Sequence, residues 1–269
     1  MSAVASYATV SVFVAVVAAI RGVWSPCGLS MISAINPFSE RSRGNRYWLT
    51  AAWFVVGSIL GGALLGGMGA LGAWTLTPLT DHPEAMVALA SVCCLIAVAS
   101  DTAALPFRLP LHPRQVNELW LGRYRRWVYA SGFGAQIGVG LATYIMTAAV
   151  YLVPVLGALS GSPPFALLTG LLFGLVRGLA VLLSSGAGDP QALLRLHRRL
   201  DWLAPWSLRA AIGIQILAAL ALSHLAAGGL GLLGVATVVA AGAGVTRRSR
   251  TRTRTGAGNE MAGRSAYPR

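Results

Sequence analysis

Six residues of this chain combine reactive or charged side chains with an apolar setting: Arg21, Cys27, Cys93, Cys94, Asp101 and Arg177. Cys27 sits in Ser25-Pro26-Cys27-Gly28, where a proline interrupts an apolar run. A thiol beside such a break serves either as a small packed hydrophobe or as a functional sulfur. Cys93 and Cys94 are neighbours on an apolar stretch and read as buried hydrophobes. Arg21 and Arg177 lie within apolar runs, where a central Arg costs about 2.5–3.5 kcal/mol on insertion scales and normally faces a protein interior. Arg177 follows Gly170 and Gly174 on one helix face. Asp101 is the clearest acidic partner inside the apolar runs. Two readings follow. In the structural one, one Arg pairs with Asp101 and the other bonds carbonyls freed at Pro26. In the functional one, Arg21, Pro26, Cys27 and Arg177 form a mid-membrane substrate site beside unwound backbone, suited to an anion. His82, His112, His197 and His224 are scattered without metal-ligand spacing, so no metal is expected. No catalytic triad or phosphate loop is present, no cofactor is implied, and whether the chain is an enzyme stays open.

The elements that hold these residues are membrane helices. Of 269 residues, 55% are apolar and 11% charged, with a mean hydropathy of +0.66. Soluble domains carry about 25% charged residues. The apolar residues fall in runs that match the ~20 residues needed to cross a bilayer. Seven spans are expected: Tyr7 to Ile35, Tyr47 to Leu76, Glu84 to Leu105, Trp127 to Leu159, Phe165 to Ser184, Ser207 to Ala226 and Gly228 to Val245. The first and fourth are overlong and interrupted by Gly or Pro. Residues 1–226 form a six-helix bundle in this reading, 227–246 an added helix and 247–269 a disordered Arg-rich cytoplasmic tail.

The net charge of +13 comes from 21 basic residues, all of them Arg. They cluster at Arg41, Arg43 and Arg46, at Arg123, Arg125 and Arg126, at Arg195, Arg198 and Arg199, and beyond Val245. The intervening loops contain none. By the positive-inside rule the N-terminus lies outside the plasma membrane and the C-terminus inside. The Arg loops are expected to meet anionic lipid head groups, not nucleic acid. Asp189-Pro190 is a helix-start signal. The leucines after it recur at helical spacing and suggest a helix on the membrane surface. Trp120, Tyr124 and Trp127 are placed as interfacial anchors. Glycines four apart, at Gly57 and Gly61, Gly62 and Gly66, Gly134 and Gly138, and Gly170, Gly174 and Gly178, predict closely packed helices.

The Pro-Cys element in an overlong first span resembles that of the CcdA family of membrane electron carriers and the DsbD central domain. The resemblance covers the first six spans. It implies two inverted three-helix repeats and a reversible disulfide between one Cys from each. The second Cys is missing here: laying Ser25 to Ala34 over Gly140 to Ala149 sets Cys27 opposite Ala142. Two functions are therefore expected as alternatives. One is a transporter-like bundle for a small, anionic solute at Arg21 and Arg177, its substrate otherwise unidentified. The other is a transmembrane thiol–disulfide relay using Cys27 with Cys93, Cys94 or a partner protein's thiol. A structural subunit of a membrane complex is the third reading.

Overall fold

The computed structural model describes residues 3–104 and 119–264, with side chains as far as Val235 except those of residues 79, 230, 232 and 234. Every described element is helical. The order is α1 (Ala3–Arg21), a 3-10 turn (Gly22–Trp24), α2 (Pro26–Ala34), α3 (Pro37–Ser42), α4 (Tyr47–Thr75), α5 (Pro83–Asp101), α6 (Trp120–Arg123), α7 (Arg126–Val139), α8 (Ala149–Leu159), α9 (Pro163–Leu179) and α10 (Pro190–Arg264).

Five helices are long and apolar enough to cross a membrane: Ala3–Trp24, Tyr47–Thr75, Pro83–Asp101, Pro163–Ser184 and Pro190–Gly229. Their outward faces expose Phe13, Leu60, Leu64, Met68, Leu71, Leu168 and Leu217. So much exposed apolar surface is a liability in water and is what lipid requires. The expected fourth span is not one helix. It is α7 and α8, of 14 and 11 residues, separated by a non-helical stretch from Gly140 to Ala148. Each alone is shorter than the ~20 residues of a full crossing.

The bundle is built around α4, which has α7 on one flank and α9 on the other. The glycine stripes make these contacts. A Cβ on Gly134 would fall 2.0 Å from the Phe54 carbonyl, and one on Gly170 would fall 2.3 Å from the Gly66 Cα. Backbones this close leave no room for any side chain, so the helices pack by surface contact where lipid offers no hydrophobic drive. Ser58 adds an interhelical hydrogen bond to the Gly174 carbonyl at 2.7 Å.

The helix after Asp189 starts as the sequence signals: the Asp189 carboxylate accepts the Ala192 N–H at 2.6 Å. Its leucines pack against the bundle. Leu193, Leu196 and Leu200 pack on Val23, Trp24, Leu29 and Ile32, and α10 continues through Pro205 into the apolar stretch beyond. At Ala227 and Gly228 the backbone leaves helical geometry. The chain turns sharply there, because a Cβ on Gly231 would lie 2.4 Å from the Ser223 carbonyl. Eight residues of straight helix would separate them by about 12 Å. The backbone is helical to Arg264. The side chains of the expected Arg-rich tail, 247–269, lie outside the described residues.

Candidate functional site

Two interruptions in the helices bring the sequence-marked residues into the bundle. The first lies between α1 and α2. Ser25 is fully buried; its hydroxyl donates to the Gly22 carbonyl at 2.7 Å and accepts the Gly28 N–H at 3.0 Å. It is therefore the N-cap of α2, and Pro26 occupies the first helical position, where no N–H is needed. Cys27 comes next, 1% exposed, packed with Met31, Phe54, Tyr129 and Phe133. Cys94, with Cys93 against it, belongs to a different cluster around Tyr7, Met86 and Leu222. None of the three cysteines forms a disulfide.

Both arginines lie inside the bundle, Arg21 at 6% exposure and Arg177 at 3%. Each occupies the last turn of its helix, where the carbonyl end favours a cation by roughly 0.3–1 kcal/mol, up to ~2 when partly buried. They do not share one pocket. The Nη1 of Arg21 donates to Ser207 Oγ at 2.8 Å and to the Ala204 carbonyl at 3.5 Å, both on α10. Its guanidinium also lies 5.9 Å from the Trp24 ring centroid. Arg177 instead crosses to the first break and lies against the backbone of Gly22, where a Cβ would meet Nη1 at 1.3 Å. Its other face looks onto Phe173 at 5.8 Å. The cavity beside Arg177 is lined by Gly22, Gly28, Phe54 and Ile137 among others and measures about 20 Å³. That is room for about one water-sized particle.

Asp101 does not pair with either arginine. Its carboxylate accepts the Thr147 hydroxyl, the Ala148 N–H at 2.7 Å and the Gln215 amide at 2.8 Å. These groups sit at the second interruption, just before α8, and on α10. The physical reason is the helix start: the first N–H groups of α8 lack intrahelical partners and concentrate partial positive charge. Asp101 supplies the anion from another helix. Arg21 lies in the field of this carboxylate without bonding it. Among the described residues, the buried Nε atoms of Arg21, Arg126 and Arg177, Thr143 Oγ1 and Gln215 Oε1 have no hydrogen-bond partner.

Comparison with known proteins gives one consistent result. The chain is 28% identical over 210 residues to the methylamine utilization protein MauF of Paracoccus denitrificans, covering 74% of this chain and 73% of that protein. It is 32% identical over 161 residues to MauF of Paracoccus versutus, covering 59% and 58% of the two chains. MauF of Methylophilus methylotrophus is 28% identical over 199 residues, covering 72% and 67%. No family model matches, and no solved structure matches. These relatives overturn the resemblance to the CcdA family and the DsbD central domain, because every one of them is a methylamine utilization protein. The expectation of a transporter or a thiol–disulfide relay falls with it. In the fold, the motif that carried the resemblance is accounted for by capping: Pro26 starts α2, and Cys27 packs in a cluster separate from Cys94.

The most connected buried polar group is one the sequence did not mark. Glu40 is fully buried and forms an ion pair with Arg43 at 2.9 Å. It also accepts the Thr50 hydroxyl at 2.6 Å and the Tyr129 hydroxyl at 2.9 Å. Asn45 donates to Tyr129 Oη at 3.2 Å. The network ties the loop between α2 and α4 to α4 and α7. A signal was available in Asn36-Pro37, whose Asn side chain accepts the Ser39 N–H at 2.9 Å and starts α3. At another end of the bundle a mostly apolar cleft of about 510 Å³ opens between Tyr7, Glu84, Met86, Ser162 and Phe165.

Proposed function

We propose that this protein serves methylamine utilization as a multi-pass membrane protein, in the capacity of the MauF proteins it is similar to. The observation that carries the reading is the similarity to MauF across about three quarters of both chains. The bundle supports the membrane half of it: five helices suited to crossing, with apolar faces turned outward. The test is genetic. Deleting the gene should abolish growth on methylamine as sole nitrogen source while growth on ammonium continues, and the intact gene should restore it. Unimpaired growth of the deletion strain on methylamine would refute the proposal.

The same proposal takes the chain to cross the plasma membrane seven times. In it α7 and α8 together form the fourth crossing, and the turn at Ala227–Gly228 separates the sixth from the seventh. The N-terminus is outside and the C-terminus inside, because the Arg-bearing loops alternate with Arg-free ones. An inverted pairing of two three-helix halves, 1–226 in all, is supported by the placement of the two interruptions, each opening a half and each followed by a Gly-rich helix, α4 or α9. The Arg loops would then lie against anionic lipid head groups.

A further inference from the structure

We infer that the water-sized cavity between Arg177, Gly22 and the first turn of α2 is a binding site for one monatomic anion of chloride size, which acts as the counter-ion of Arg177. Three observations converge on it. Arg177 is 3% exposed, lines the cavity, and has its Nε without a hydrogen-bond partner among the described residues. No described carboxylate is free to neutralise it: Glu40 is held by Arg43, Thr50 and Tyr129, and Asp101 by Thr147, Ala148 and Gln215. Asp81, Glu84, Asp189 and Asp201 are exposed. Finally, Gly28, in the first turn of the nine-residue α2, lines the same cavity; its own N–H is taken by Ser25 Oγ, so the helix start contributes its dipole and no free donor.

A buried cation in apolar surroundings needs either a partner charge or water, and a cavity this small admits one particle. A water would solvate the guanidinium without neutralising it, whereas a halide does both. The free space of about 20 Å³ beside Arg177 suits a monatomic ion better than phosphate, sulfate or a carboxylate. Gly22 belongs to the site for a steric reason, since any side chain there would displace the guanidinium from the cavity wall.

The test measures thermal unfolding of the detergent-solubilised full chain in chloride and in gluconate at equal ionic strength. Above the dissociation constant, each tenfold rise in chloride should raise the folding equilibrium constant about tenfold, a rise of roughly 3–6 °C in the unfolding midpoint. Arg177→Gln should abolish the difference between the two salts, and Arg177→Lys should retain it. Should Arg177→Gln fail to fold, crystals of the unaltered protein grown in bromide decide the matter, with an anomalous peak expected between Arg177 and Gly28. Equal midpoints in chloride and gluconate for the unaltered protein would overturn the inference. So would an undiminished chloride effect in Arg177→Gln, or bromide crystals with no peak in the cavity.

Discussion

Replacing Asp101 with leucine should loosen α8 from the bundle by removing the anion that organises its start. Three donors lose their acceptor: the Thr147 hydroxyl, the Ala148 N–H and the Gln215 amide. Hydrogen bonds between neutral groups on membrane helices average about 0.6 kcal/mol with a maximum near ~1.7. An ionised acceptor roughly doubles such a bond, so each is worth about 1–1.5 kcal/mol here and the three together about 3–4 kcal/mol. Asp101→Asn keeps one carbonyl oxygen for the Ala148 N–H but sets its own amide against that of Gln215. About half the loss is expected for it, near 2 kcal/mol. The buried thiols of Cys27 and Cys94 provide the assay, because a thiol-reactive dye reaches them only as the solubilised protein unfolds. Gln215→Leu combined with Asp101→Leu should cost less than the sum of the two, since they remove one shared bond. A leucine variant within ~0.5 kcal/mol of the parent, or an asparagine variant as damaging as leucine, would refute this account of α8.

Three other perturbations probe the remaining contacts. Gly22→Ala brings a methyl group to 1.3 Å from Arg177 Nη1. It should lower stability by about 1–3 kcal/mol, most of it recovered in an Arg177→Met background, as a two-mutant thermal-unfolding cycle would register. Glu40→Ala strands Arg43, Thr50 and Tyr129 and should cost about 3–5 kcal/mol in the same assay, with Glu40→Gln costing clearly less. Reporter fusions after Arg46, Arg126 and Arg199 should report the cytoplasm, and fusions near Pro83 and Gly161 the outside; a reversed pattern would overturn the proposed orientation.

Much of the fold was legible because lipid makes simple demands. Long apolar runs and glycines four apart both follow from the bilayer as solvent, and each depends on residues close in sequence. The overlong first and fourth spans read as interrupted for the same local reason. The partners of the buried charges were not legible, because they are distant in the chain. Arg21 finds Ser207 on α10, and Asp101 finds Ala148 and Gln215, contacts that depend on how whole helices pack. Glu40 is not legible in the sequence, because a lone acid beside Arg41 and Arg43 resembles a solvated loop pair. Only the fold shows α3 turning it under Tyr129.

One local signature recurs three times, and the sequence marks it as a helix start only at Asp189. Ser25, Asn36 and Asp189 each precede a proline, and each side chain accepts the N–H three residues on, at 3.0, 2.9 and 2.6 Å. Proline at the next position fixes φ and withholds an N–H that would lack a partner there anyway. After the polar loop at Asp189 the signal stands out. Within the apolar run at Ser25 the same residues read as an interruption of one span. The physics is the same in both places. A serine whose hydroxyl both donates to Gly22 and accepts from Gly28 closes one helical segment and opens the next without exposing backbone to lipid. Pro26 therefore has a sufficient structural cause that involves no thiol chemistry. The same closure ends α1 just before Gly22, and the bare backbone there is what lets Arg177 reach the interior of the bundle.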